Sequence, residues 1–277
     1  MLQFEYMQRA LLAGFLLSVI IPMIGVVMVS RKTSMIGDAL SHVSLAGVGL
    51  GLILAIEPLA GAIGIRIFAG LLIELFRKRF PQYGDMATAV IMSIGLGLAS
   101  ILSDLAPGGN SFESYLFGSI SSVTPADLKL IIIVSILVVF ASLALYASLM
   151  DLSIDTEMAR ISGVKVRFTN IVFTSFSAIT VAIACKSIGA LLVSSLLVLP
   201  VATSLLLTRS YAQTYRLSIL LGVIYTLSGI TLSFYFDLRP GGTIVLCAVA
   251  GMLILALISK VRKVYTKDVD IQRSTSS

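Results

Sequence analysis

The chain has 277 residues, of which 57% are hydrophobic and 12% charged, and its mean hydropathy is +1.03. A soluble domain carries about a quarter charged residues, so this composition excludes an ordinary soluble protein and indicates an integral membrane protein. The formal net charge of +6 does not indicate nucleic-acid binding, because the basic residues fall in short connections between apolar runs.

Nine apolar runs follow one another along the chain. Each is long enough to cross a hydrocarbon core of roughly 30 Å as a helix. The runs cover residues 10–29, 35–56, 58–76, 86–104, 128–149, 168–185, 188–208, 217–236 and 242–261. Only Lys186 and Ser187 separate the sixth run from the seventh, so eight or ten spans are alternatives to nine. We predict an all-α integral membrane protein, a polytopic bundle of about 8–9 transmembrane helices.

The connections between the runs alternate in charge. Basic residues follow the first, third, fifth, seventh and ninth runs, and the other connections hold few of them. Because basic connections stay in the cytoplasm, this pattern predicts a cytoplasmic C-terminus and an N-terminus outside the cell.

The second run contains an acid and the only histidine of the chain, Asp38 and His42. Residues at i and i+4 project from one face of a helix, close enough to share a ligand. Ionisable side chains in hydrocarbon usually mark a pathway or a site. His42 would lie about 15 Å from the inner face, near the bilayer centre, where transporters bind their cargo. Carboxylate and imidazole are both good ligands for zinc, and they also accept manganese.

One chain supplies only two metal ligands from this pair. A symmetric dimer would bring two aspartates and two histidines together, enough for a four-coordinate site. Two alternatives remain open from the residues alone. The pair could couple transport to protons, or Asp38 could cap the start of the helix while His42 satisfies a neighbouring carbonyl.

Motifs for catalysis are missing from the sequence. An intramembrane metalloprotease needs two histidines and an acid, and the chain has a single histidine. It contains neither a Gly-x-Ser-x-Gly context nor a Gly-x-x-x-x-Gly-Lys-[Ser/Thr] phosphate-binding motif. We therefore predict a protein that is not an enzyme, does not itself hydrolyse ATP and carries no permanent cofactor.

The inner segment over residues 151–167 is predicted to contain a short cytoplasmic helix. Asp155 stands at its start, Gly163 can end it, and acids precede bases as the helix dipole prefers. Such a helix could dock a cytoplasmic protein or be an ordinary solvated connection.

Three further residues within the spans are unusual. Pro200 is expected to kink or interrupt its helix. Arg66 and Glu74 lie eight positions apart, a spacing that would let them pair across two helical turns or snorkel. The sequence assigns no function to Arg66 or Glu74.

Four blocks of the sequence resemble the membrane permease subunits of bacterial zinc/manganese ABC importers. They cover Ser34–Gly47, Ser114–Ile120, Asp155–Gly163 and Ile188–Pro200. Together with the pattern of spans, the resemblance extends over nearly the whole chain. Within it, Met7–Ala10 and Leu40–Gly47 look more like the zinc-uptake branch than the manganese branch.

The resemblance implies a homodimeric, multi-pass permease of the bacterial plasma (inner) membrane. It also implies cytoplasmic ATP-binding subunits and an extracytoplasmic metal-binding protein as partners. Asp38 and His42 would line the pathway and bind the transported ion as substrate, with Zn²⁺ favoured over Mn²⁺, which is also possible. The family is usually described with about eight spans.

The resemblance also assigns the inner helix, at about residues 154–163, as the coupling helix that seats in the ATPase. The residues expected to contact the ATPase are Asp155, Glu157, Met158, Ala159, Arg160 and Gly163. The permease domain is then expected over residues 1–265, with a polar cytoplasmic tail over residues 266–277. Two rival functions are a permease for a chelated cargo, such as a siderophore or cobalamin, and a stand-alone ion channel or proton-coupled carrier.

Overall fold

The computed structural model describes residues 4–105 and 123–275, and these residues form a bundle of helices without a β-strand. The helices are α1 (Glu5–Ser30), α2 (Ser34–Ile53), α3 (Pro58–Arg79), α4 (Gly84–Leu105), α5 (Pro125–Ala144), α6 (Tyr146–Ile154), α7 (Thr156–Ile161), α8 (Val166–Ile188), α9 (Ala190–Leu207), α10 (Tyr211–Phe236) and α11 (Pro240–Thr275). A 3₁₀ turn over Pro81–Tyr83 joins α3 to α4. The block Ser114–Ile120 lies outside the described residues.

The long apolar helices correspond to the runs predicted from the sequence. In the described part of the chain, eight helices are long and apolar enough to cross a membrane, namely α1 to α5, α8, α10 and α11. The ninth run corresponds to α11 and the seventh to α9, a shorter apolar helix. The prediction of an all-α bundle with about 8–9 transmembrane helices is confirmed.

The boundaries differ from the prediction in two places. The run over 128–149 is divided, because α5 ends at Ala144 and α6 begins at Tyr146. The break between the sixth and seventh runs lies at Gly189, whose φ of +105° suits glycine, and not at the charged pair before it. Pro200 lies within α9 without ending it. The backbone of α11 is helical to Thr275, and the polar cytoplasmic tail over residues 266–277 stays a prediction.

Local sequence signals set several helix starts. Pro125 is the first residue of α5, where its missing N–H leaves no hydrogen bond unmade. Before it, Thr124 and Asp127 form a capping box in which each side chain accepts from the other residue's backbone N–H at 3.2 Å. Lys186 Nζ at the end of α8 lies 2.7 Å from Asp127 Oδ1, so the ends of α5 and α8 meet here.

The core of the bundle is centred on α1, α8 and α9. Their buried apolar side chains, such as Leu17, Val181 and Leu197, belong to one continuous cluster. The outer helices instead expose large apolar side chains, such as Phe140 on α5 and Leu246 on α11. Such surfaces are typical of contact with lipid tails, which are as apolar as the side chains themselves.

The helix that carries Asp38 and His42 is held by close backbone contacts. At Gly47 of α2, a Cβ atom would lie 2.6 Å from the carbonyl oxygen of Gly61 in α3. At Gly95 of α4, a Cβ atom would lie 2.9 Å from the Cα of Val43. Glycine therefore lets both neighbours approach α2 closely, and α2 packs chiefly between α3 and α4.

Candidate functional site

Asp38 and His42 meet on one face of α2, as their spacing predicts. His42 Nε2 lies 3.7 Å from Asp38 Oδ1, and the two side chains are 14% and 38% exposed, respectively. Two atoms bound to one tetrahedral zinc ion at about 2.0–2.2 Å would lie roughly 3.3–3.6 Å apart. The observed separation is therefore close to what a shared metal ion requires.

The structure disfavours the capping alternative for this pair. Thr33 occupies the N-cap position of α2, and Asp38 is the fifth residue of the helix. The Nδ1 atom of His42 is buried and makes no hydrogen bond to the described residues, so it does not satisfy a neighbouring carbonyl. The other ring nitrogen, Nε2, faces Asp38 and is the one that could share a metal ion with the carboxylate.

The pair alone does not complete a metal site. Across residues 4–105 and 123–275, no group of three or more His, Cys, Asp or Glu side chains is placed to hold a metal ion. A closed zinc site has four ligands, of which this pair provides two. Asp38 is partly exposed, so further ligands can approach from outside the described part of the chain.

The predicted inner helix is present as α7. Asp155 caps it, because its Oδ1 accepts from the backbone N–H of Glu157 at 2.7 Å and of Met158 at 3.3 Å. Gly163 follows the helix with φ +85°, the left-handed conformation that ends helices. The sequence therefore predicts the position and both ends of this helix.

Two faces of α7 differ sharply in exposure. Ala159 is buried against the bundle, whereas Glu157 and Arg160 are exposed. The apolar side chains of Met158 and Ile161 are 63% and 81% exposed. Exposed apolar side chains flanked by charges are typical of a surface that docks a partner.

A polar network that the sequence analysis missed joins three elements near α7. Arg31 Nη1 donates to Asn170 Oδ1 at 2.9 Å, and Asn170 Nδ2 donates to Glu74 Oε1 at 3.2 Å. The network connects the α1–α2 connection to α8 and α3. Burial lowers the pKa of the Arg31 guanidinium, Glu74 opposes this effect, and Arg77 adds to it.

Arg66 neither pairs with Glu74 nor snorkels, in contrast to both expectations for it. Its side chain is fully buried, and its Nη1 donates to Ser44 Oγ at 3.0 Å. The Cys185 thiol lies beside the same guanidinium. Two other nitrogen atoms of Arg66, Nε and Nη2, make no hydrogen bond to the described residues. The helical spacing of eight suggested a partner on α3, but the actual neighbours come from α2 and α8.

Comparison with known sequences gives matches over almost the full length. The profile of the ABC 3 transport family matches residues 3–260. A Treponema pallidum protein named "Probable metal transport system membrane protein" is 33% identical over 96% of this chain and 100% of its own length. The high-affinity zinc uptake system membrane protein ZnuB of Buchnera aphidicola is 31% identical over 94% and 98% of the two chains. The manganese transport system membrane protein MntC of Listeria innocua is 28% identical over 90% and 89%.

A solved structure is also similar. PsaBC from Streptococcus pneumoniae, determined in complex with a Fab, contains a chain that superposes with a TM-score of 0.83 at 26% sequence identity. The match covers 91% of this chain and 91% of that one. The similarity therefore extends to the arrangement of nearly all the helices.

Proposed function

The chain belongs to the ABC 3 transport family, and from this premise we propose that it moves Zn²⁺, in preference to Mn²⁺, into the cytoplasm by alternating access. It is a multi-pass protein of the bacterial inner membrane, and it acts as the permease subunit of an ATP-driven importer of divalent transition metals. Relatives named for zinc uptake and for manganese transport both match. The preference for Zn²⁺ therefore rests on the residues around His42, Leu40–Gly47, which resemble the zinc-uptake branch.

The geometry of Asp38 and His42 is the observation that carries the proposal. His42 Nε2 and Asp38 Oδ1 lie 3.7 Å apart on α2, close to the separation of two atoms that bind one zinc ion. His42 stands eight residues after Ser34, or about 12 Å along the helix, deep enough to reach the interior of the membrane. A transport site must accept the ion and release it again, so an incomplete ligand set in each chain suits transport better than a closed site.

A second copy of the chain would supply the missing ligands. In a symmetric dimer, the same face of α2 from each protomer meets at the axis, and two aspartates and two histidines then surround one ion. The partial exposure of Asp38 supports this arrangement, because a fully enclosed carboxylate could not be shared. An extracytoplasmic metal-binding protein would deliver the ion to this site.

Cytoplasmic partner subunits hydrolyse ATP, and they dock on α7. The exposed side chains of Glu157, Met158 and Arg160 form the contact, while buried Ala159 transmits movement to the bundle. The positive-inside rule favours a cytoplasmic location for α7 and the C-terminus. With the shorter apolar helix α9 counted as a ninth span, the N-terminus lies outside.

Metal uptake by the assembled importer tests the ion site. Asp38→Asn and His42→Gln should each lower the rate of Zn²⁺ uptake by at least about tenfold, since even indirect partners of metal ligands contribute 10- to 100-fold. Asp104→Asn, which neutralises an exposed acid at the end of α4, is the matched control and should transport normally. Uptake at the unmutated rate in both site variants would refute the assignment.

Co-purification tests the partners. An affinity-tagged copy of the chain should retain the ATPase subunits and an untagged second copy. Glu157→Lys should release the ATPase, whereas Glu157→Gln should weaken it less because no repulsive charge is introduced. Transport by the chain alone would instead favour a stand-alone carrier, and uptake of a chelated cargo independent of His42 would favour a chelate permease.

A further inference from the structure

A basic cavity of about 280 Å³ lies between the α1–α2 connection and the junction of α6 with α7, and Arg77 of α3 also lines it. Arg31 and Lys32 from the α1–α2 connection, Arg77 from α3 and Thr156 from α7 line it. None of its described lining residues is Asp or Glu. The same two arginines line an adjoining cavity of about 310 Å³, whose acidic residue is Glu74. The basic cavity therefore concentrates positive charge on one side of the polar network.

One of the two guanidinium groups is held by a hydrogen bond, and the other packs against the start of α4. Arg31 is fixed by its hydrogen bond to Asn170, at 2.9 Å. Arg77 packs over Gly84, where an added Cβ atom would lie 3.2 Å from Arg77 Nε. Basic residues that only anchor a helix end extend freely towards water or lipid headgroups. These arginines instead are only partly exposed and converge on the same cavity.

Arg31 and Arg77 lie close enough for their like charges to interact. Burial lowers the pKa of Arg31, Glu74 raises it, and Arg77 lowers it by less than Glu74 raises it. Glu74 also accepts a hydrogen bond from Asn170, so it lies on the Asn170 side of Arg31. An anion in the basic cavity would reduce the repulsion between the cations that line it.

We propose that the basic cavity binds a phosphate group, carried either by the headgroup of an anionic phospholipid or by free phosphate. Guanidinium groups bind phosphate through paired hydrogen bonds, and Lys32 adds a compact positive charge. The hydroxyl groups of Ser30 and Thr156 line the same space and can donate to the remaining oxygens. The location at the cytoplasmic membrane surface rests on the proposed function, whereas the cavity and its charge do not.

Binding to the purified full-length protein, in complex with its ATPase subunits, tests the proposal without a transport measurement. In one arm, native mass spectrometry measures retention of phosphatidylglycerol against phosphatidylcholine. In the other, thermal unfolding measures stabilisation by inorganic phosphate against chloride. The variants are Arg77→Gln and Lys32→Gln, and the matched control is Arg79→Gln, an exposed arginine two residues beyond Arg77 that does not line the cavity.

Arg77→Gln and Lys32→Gln should each weaken binding of phosphatidylglycerol or of inorganic phosphate, whichever the unmutated protein binds, by about tenfold. A tenfold change corresponds to roughly 1.4 kcal/mol of binding free energy. The control variant should bind as the unmutated protein does. Loss confined to phosphatidylglycerol identifies a lipid, and loss confined to inorganic phosphate identifies a free ligand. The proposal is overturned if neither site variant weakens binding more than Arg79→Gln in either arm. Because Lys32 is exposed, its variant keeps the test valid even if Arg77→Gln disturbs folding.

Discussion

Arg66 Nη1 donates a hydrogen bond to Ser44 Oγ at 3.0 Å, so a fully buried cation of α3 is anchored to the helix that carries Asp38 and His42. Ser44 follows His42 by two positions and therefore lies on a different face of α2. One face of this helix presents the proposed metal ligands, while another is fixed to α3. A charge buried in the membrane is costly, so its one cross-helix hydrogen bond to α2 has a large influence on how that helix is held.

Ser44→Ala should destabilise the bundle by about 1–3 kcal/mol, because the buried guanidinium loses its partner on α2 while staying charged. The matched control is Ser93→Ala, since Ser93 Oγ bonds only to the backbone of its own helix on an exposed face of α4. The control should stay within about 0.5 kcal/mol of the unmutated protein. Denaturant unfolding in detergent measures both, and equal losses would show that the link to Arg66 contributes nothing.

The pattern of apolar residues was sufficient to predict the helices but not all of their ends. A run of apolar residues indicates that a segment is buried in lipid or protein. It does not predict where a helix within the run is interrupted, such as after Ala144. The break at Gly189 depends on a single backbone conformation with φ +105°. No charged residue stands at Gly189. The nearby Lys186 lies three residues earlier and pairs with Asp127 of α5.

The local parts of the candidate site were predictable for a similar reason. Asp38 and His42 meet because four residues make about one helical turn, and Asp155 caps α7 because acids are favoured before a helix. The contacts of Arg66 and Asn170 were not predictable, since their partners lie 22 and 96 or more positions away in sequence. Such pairs depend on how the helices pack, and periodicity within one helix carries no information about that.

Gly61→Ala should separate α2 from α3, because the new Cβ would lie 2.5 Å from the carbonyl oxygen of Gly47. Backbone cannot move aside as a flexible side chain can, so we expect a loss of about 1–3 kcal/mol and reduced metal uptake. Gly64→Ala on the same helix is the matched control, since nothing lies within 4 Å of its added Cβ. Alanine favours helix over glycine by up to about 1 kcal/mol, so the control should be neutral or stabilised in thermal unfolding. Similar losses in both variants would contradict close packing at Gly61.

Asn170→Leu should destabilise the protein by about 2–3 kcal/mol, because one change removes hydrogen bonds to both Arg31 and Glu74. Hydrogen bonds to charged groups contribute about 1.5–3 kcal/mol each, and the leucine side chain recovers some of this by apolar burial. Arg167→Gln, an exposed change one turn earlier on α8, should have little effect. Chemical denaturation provides the comparison, and a stable Asn170→Leu protein would mean that the network is dispensable.

Asp155→Ala should uncouple ATP hydrolysis from transport without abolishing assembly. The change removes the acceptor for two backbone N–H groups of α7 and destabilises that helix by about 1 kcal/mol, enough to fray an element of six residues. Asp155→Ser retains a capping oxygen without the charge, so it should recover most of the uptake per ATP hydrolysed. The measurement is the ratio of Zn²⁺ uptake to ATPase rate in the reconstituted complex. If the serine variant is as impaired as the alanine variant, the negative charge of Asp155 rather than its cap connects α7 to the ATPase.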